Sequence, residues 1–209
     1  LLLAIRSHER QENSAAWLLV GGGLKLLPFA LLPKVWSPKD GWMWVAILVL
    51  VFSALPFVFD LNSLTQALRL YAQHWSFNGS IYALINPLFL TWTRPLLLIV
   101  GALVVAYGYW RRLSLAQLTL WVCGAGVLLS PTVHPWYILW AWVPALLCGV
   151  RSWTALASLV PLVYVALLTL DPHTGDWNPP AWPSVLSYGV FGAYVLWEYR
   201  NKTEKEHRN

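Results

Sequence analysis

The sequence predicts an all-α protein. It is expected to be a polytopic bundle of transmembrane helices, several of them short and broken, with one juxtamembrane helix lying on the outer face. Three observations carry this prediction. Of 209 residues, 58% are hydrophobic and only 11% are charged, where a soluble domain carries about 25% charged residues. The mean hydropathy is +0.54. The charges are gathered into short stretches that leave charge-free runs at 41–59, 95–110, 113–150, 152–170 and 177–197. Such a composition excludes a disordered chain, a secreted disulfide scaffold and an ordinary soluble domain. Two cysteines without a C-x-x-C pattern speak against a zinc or redox site. The net charge of +5 is accounted for by basic loops and calls for no nucleic acid. The chain opens on Leu1 inside an apolar run, so 1–209 is read as one transmembrane domain, the C-terminal portion of a longer protein.

A bilayer core about 30 Å thick takes roughly 20 residues of helix, with a range of about 17–25. The first span is placed near 15–33. It holds Gly21-Gly22-Gly23, Lys25 and Pro28 and has basic residues on both sides, Arg6 and Arg10 before it and Lys34 and Lys39 after it. Triple glycine followed by proline interrupts a helix. A broken or re-entrant segment keeps both flanks cytoplasmic, whereas a plain span puts 6–12 outside; both readings stay open. The second span lies near 43–59 and the third near 95–110. The run 113–150 is 38 residues long and carries Ser130-Pro131-Thr132-Val133-His134-Pro135 at its middle. Two prolines so close divide it into spans near 113–130 and 135–150. The last two spans fall near 153–170 and 185–199, before a tail at 200–209. Several of these segments are short for a bilayer, which local thinning accommodates.

Lys and Arg in short loops set the orientation. Arg111-Arg112, Arg151 and the tail residues Arg200, Lys202, Lys205 and Arg208 are placed in the cytoplasm; 60–94, 130–135 and 171–184 are placed outside. Many of the 15 tryptophans fall at predicted span ends and fit an interfacial aromatic belt. Within the outer loop 60–94, Leu61, Leu64, Leu68, Tyr71 and Trp75 recur at helical spacing opposite Asn62, Thr65, Gln66, Arg69 and Gln73. This predicts a surface helix over 61–75. A turn at Trp75-Ser76-Phe77-Asn78-Gly79-Ser80 follows. The stretch 81–93 is apolar and contains Asn86-Pro87, so it either dips into the interface or forms a short broken helix. Arg94-Pro95 then opens the next span.

Polar groups at membrane depth are costly and often functional. His134 stands between Pro131 and Pro135 with Trp136 and Tyr137 beside it; the prolines fix the backbone and the aromatics shield the ring. It suits a phosphate contact or proton transfer, or a plain loop histidine bonded to a backbone carbonyl. Arg94 at a helix start suits an anion site or a headgroup contact. Arg69 and His74 lie on the surface helix, either toward a ligand or on a solvated face. Lys25 needs a partner if its segment spans the membrane. Asp171, His173 and Asp176 form a D-x-H-x-x-D cluster that suits a divalent cation, although Pro172, Gly175, Pro179 and Pro180 equally fit a rigid connector. The Asn78-Gly79-Ser80 triplet matches a glycosylation sequon. Cys123 and Cys148 read as packing residues.

Three stretches, in order, resemble a family. Gly22-Gly23-Leu24-Lys25-Leu26-Leu27-Pro28 with Leu32-Pro33 is the first. Tyr71, Trp75-Ser76-Phe77-Asn78-Gly79-Ser80-Ile81-Tyr82 is the second. Ser130-Pro131-Thr132-Val133-His134-Pro135-Trp136-Tyr137 with Trp140 and Pro144 is the third. Together, over most of 20–145, they resemble the C superfamily of bacterial polytopic glycosyltransferases, and within it mannosyltransferases that use polyprenyl-phosphate sugars. The resemblance implies a bacterial inner-membrane enzyme that moves a mannose-like hexose from a polyprenyl-phosphate carrier to a lipid or glycan acceptor on the outer face. It implies that His134 stands near the carrier phosphate, with Arg94, Lys25, Arg69, His74, Asn78, Trp136 and Tyr137 lining the substrate site. It also implies a catalytic carboxylate in a first outer loop. No Asp or Glu before Lys25 matches it, because Glu9 and Glu12 sit in a short basic-acidic connector. Two other readings compete: a transporter or flippase of lipid-linked sugars that uses Lys25 and the broken first segment, and a non-catalytic membrane scaffold subunit.

Overall fold

The computed structural model describes residues 1–9, 14–24, 26–169, 173 and 179–208, and every regular element among them is helical. In chain order these are α1 (Leu2–Glu9), α2 (Ser14–Leu24), α3 (Leu32–Val35), α4 (Gly41–Val58), α5 (Leu61–His74), α6 (Ile81–Phe89), α7 (Thr93–Trp110), α8 (Leu115–Leu129), α9 (Ile138–Leu147), α10 (Ser152–Leu159) and α11 (Trp182–Arg208). Short 3-10 segments link several of them. Two compact units result. The first comprises Leu1–Ser76 and Leu98–Gly126, the second Phe77–Leu97 and Val127–Asn209.

In the first unit, α2 packs against α1 and α4. Leu18, Leu31, Met43, Leu118 and Val122 form its buried apolar core. The segment expected near 15–33 is broken. α2 ends at Leu24, and a 3-10 turn over Leu27–Leu31 packs back against it. Gly22 allows this, because a Cβ there would stand 2.5 Å from Cε1 of Phe29. Asp40 starts α4: its Oδ1 accepts from Trp42 N (3.0 Å) and Met43 N (3.4 Å). This satisfies two donors that a helix start otherwise leaves open. Asp60 does the same at the start of α5, accepting from Ser63 N at 3.1 Å. The α7–α8 turn is closed by a Tyr107–Trp121 stack at 5.5 Å and by Arg112 at φ 53°. Tyr109 OH donates to Ala30 O at 2.8 Å.

In the second unit, α10 packs on α9 and α11. Pro161 lacks an N–H, and there α10 gives way to a 3-10 segment over Val160–Thr169 that lies against α11. Three stretches are long and apolar enough to cross a membrane: Gly41–Val58, Ile81–Trp110 and Ser152–Thr169. Leu115–Leu129 and Pro135–Leu147 are apolar and shorter; 15 residues of α8 rise about 22 Å.

Of the two readings of 81–93, the short broken helix is the one observed: it runs into α7 as a 30-residue stretch with an interruption at Leu90, whose φ is 47°. Pro87 inside α6 and this left-handed leucine are what break it. The basic tail is also helical, because α11 continues without a stop signal through Arg208.

Candidate functional site

Within the second unit the turn after α5 meets the loop between α8 and α9. Phe77 N donates to Pro131 O (3.0 Å), and Val133 N donates to Phe77 O (2.8 Å). These two bonds bracket Phe77 as one rung of a parallel β-ladder does. Asn78 takes the left-handed conformation at φ 52°, which asparagine tolerates better than most residues. Its side chain then reaches the loop: Nδ2 donates to Val133 O at 3.1 Å. Gly79 follows where a Cβ would stand 3.0 Å from Pro131 O and 3.1 Å from Ser130 O, both backbone atoms that cannot step aside. Ser80 Oγ donates to Leu128 O at 2.9 Å, satisfying a carbonyl in the last turn of α8. Inside the loop, Ser130 Oγ donates to Thr132 O at 2.8 Å and accepts from Thr132 N at 3.2 Å.

This backbone presents an aromatic cluster. His134 is extended (φ −74°, ψ 150°), and Pro135 begins a 3-10 turn closed by Tyr137 N donating to His134 O at 2.9 Å. The half-buried imidazole stacks on the Trp136 indole at 4.5 Å and 4°. Tyr137 meets it edge-on at 5.3 Å, and Phe77 lies at 5.7 Å. Tyr137 in turn stacks on Trp140 at 4.8 Å. Contact with the Trp136 face, the Tyr137 edge and the Phe77 ring holds the imidazole in orientation.

Of the residues expected in the site, His134, Asn78, Trp136 and Tyr137 come together here. Arg94 belongs to the same unit. Its guanidinium lies 5.2 Å from the ring centroid of the buried Tyr82 in α6, four residues past Asn78. The Asn78 amide makes bonds within the protein, to Val133 O and from Ser184 Oγ. Arg69 is exposed on α5, in the first unit. Lys25, Asp171 and Asp176 lie outside the described residues, as does the side chain of His74. Among the described residues no three His, Cys, Asp or Glu gather to hold a metal.

Two contributors had no sequence mark. Ser184 Oγ donates to Asn78 Oδ1 (2.8 Å), and Tyr188 OH donates to Asn78 O (3.0 Å). Both stand one turn apart on α11, more than 100 residues from their acceptor. The i, i+4 spacing of a serine and a tyrosine in the apolar first half of α11 is a weak hint. Thr93, next to Arg94, is fully buried, and its Oγ1 has no partner among the described residues. No protein-family model, curated protein or solved structure matches the chain.

Proposed function

We propose that the chain is the membrane portion of a polytopic glycosyltransferase of the C superfamily. It would transfer a hexose from a polyprenyl-phosphate carrier to a lipid or glycan acceptor on the outer face of a bacterial inner membrane, with its C-terminus in the cytoplasm. One observation carries this reading. Two of the three family-like stretches, 75–82 and 130–137, are distant in sequence yet are bonded backbone to backbone, with His134 at their junction. The three membrane-length apolar stretches support the setting.

In the proposed chemistry the carrier phosphate is the leaving group. Donors aimed at its oxygens lower the barrier as charge develops there. His134, oriented by Trp136 and Phe77, serves as such a donor or delivers a proton. Arg94 supplies a positive charge. The carboxylate that takes the acceptor's proton is a different residue from Asp40, Asp60 and Glu198, because each of these accepts backbone N–H bonds at a helix start.

The test uses full-length protein in proteoliposomes with a labelled polyprenyl-phosphate hexose. His134→Ala is expected to lower transfer about 100-fold. Arg94→Ala is expected to lower it at least tenfold, with Arg94→Lys partly active because charge is kept but the planar fork is lost. Unchanged rates for both alanine variants reject the reading.

A further inference from the structure

We propose that Asn78 is a positioning residue, which fixes the His134 loop against α11 through Ser184 and Tyr188. The inference rests on the glycosyl-transfer reading above and names what makes that site rigid. The His134 loop is an irregular segment between two prolines. A loop of this kind holds a donor in place only if its backbone is tied to regular elements. Asn78 provides ties in two directions. Its Nδ2 donates to Val133 O, the carbonyl immediately before His134. Its Oδ1 accepts from Ser184 Oγ and its backbone carbonyl accepts from Tyr188 OH, both on α11. One residue thus connects a loop to a helix of 27 residues. The left-handed φ of 52° turns the side chain toward the loop while the carbonyl faces the helix. A shift of the donor by about 1 Å is enough to cost two orders of magnitude in rate.

The positive φ allows a clean dissection. Asn78→Gly adopts the same backbone without strain. It keeps the Phe77 rung and the Tyr188 bond but deletes the amide. Ser184→Ala removes the second partner, and Ser184→Thr restores a hydroxyl. Two measurements on the full-length protein in nanodiscs decide the matter: amide hydrogen exchange over 128–137, and the split between kcat and the KM for the polyprenyl-phosphate hexose. Asn78→Gly is expected to speed exchange in that segment at least tenfold. It should lower kcat by 10- to 100-fold and leave KM within about twofold. Ser184→Ala should show a smaller effect in the same direction, and Ser184→Thr should return to wild type.

Unchanged exchange in Asn78→Gly overturns the clamp. Faster exchange with unchanged kcat overturns the positioning role. A wild-type protein without transfer overturns the enzymatic reading and with it the role in catalysis. The exchange data then show whether the clamp itself holds, so the two failures are told apart.

Discussion

Glu198 offers the sharpest test of the second unit. α10 begins at Ser152, and its N-cap, Arg151, provides no side-chain cap. The first backbone donors are taken instead by a carboxylate from α11. Glu198 Oε1 accepts from Arg151 N at 2.6 Å, and Oε2 accepts from Ser152 N at 3.1 Å. Both bonds are charge-assisted, and the negative charge sits at the positive end of the helix dipole. Losing a cap costs about 0.5–2 kcal/mol, and bonds to charged groups contribute about 1.5–3 kcal/mol each when well buried. Arg151 is exposed and Glu198 only half-buried, so the lower part of this range applies. Glu198→Ala is expected to cost about 1–2 kcal/mol. For a chain of 209 residues that lowers the melting temperature by about 2–8 °C. Glu198→Gln keeps one oxygen acceptor without the charge and should lose about half as much. Glu198→Asp is one methylene shorter and should resemble the alanine variant. Melting is followed by intrinsic tryptophan fluorescence in detergent, with amide exchange at 151–154 as the local readout. A Glu198→Ala protein that melts within about 1 °C of wild type, with unchanged exchange there, refutes the capping role.

Three further outcomes follow from particular atoms. Gly22→Ala places a Cβ 2.5 Å from the Phe29 ring and should cost about 1–3 kcal/mol; Phe29→Leu in the same chain should recover part of the lost melting temperature. Thr93→Val replaces a buried hydroxyl that has no partner among the described residues with a methyl of the same shape, and should raise the melting temperature by the equivalent of about 1 kcal/mol. Leu90→Gly relieves a leucine held at φ 47° and should stabilise by about 1 kcal/mol, whereas Leu90→Val should destabilise.

Much of the helical content was legible because it depends on local pattern. The charge-free run 41–59 corresponds to α4, and the polar–apolar alternation of 61–75 corresponds to α5. The Pro131 and Pro135 pair separates α8 from α9 as expected, because prolines remove the bonds that would carry one helix through. Less legible were features set by distant contacts. The role of Glu198 is invisible locally, because the backbone donors it caps lie 46 and 47 residues away. Ser184 and Tyr188 acquire their role only when Asn78 arrives from over 100 residues away. For 81–93, Asn86-Pro87 signals a break but leaves open whether the stretch dips into the interface or forms a short broken helix. The break is real at Leu90, but the chain resumes its helix within three residues. His134 stood out early because its neighbours are unusual. The stacking on Trp136 belongs to the fold of the 3-10 turn, which a proline followed by two aromatics does not by itself dictate.

These contacts give α11 a part that its own sequence does not announce. Its first turns hold the Asn78 turn, and through it the His134 loop. Glu198, fourteen residues beyond Ser184, holds the turn that starts α10. At 1.5 Å per residue the two attachments are about 21 Å apart, a large part of the hydrocarbon thickness. A helix fastened at both ends resists sliding along its axis, because any axial shift must lengthen polar bonds at one end. In the proposed membrane setting those ends lie near opposite faces. Loosening the Glu198 cap should then reach the loop only if α11 moves as a rod. Combining Glu198→Ala with Asn78→Gly measures that transmission. Two independent anchors give additive losses of stability, within about 0.5 kcal/mol. A rod that shares its load between them gives a clear departure from additivity.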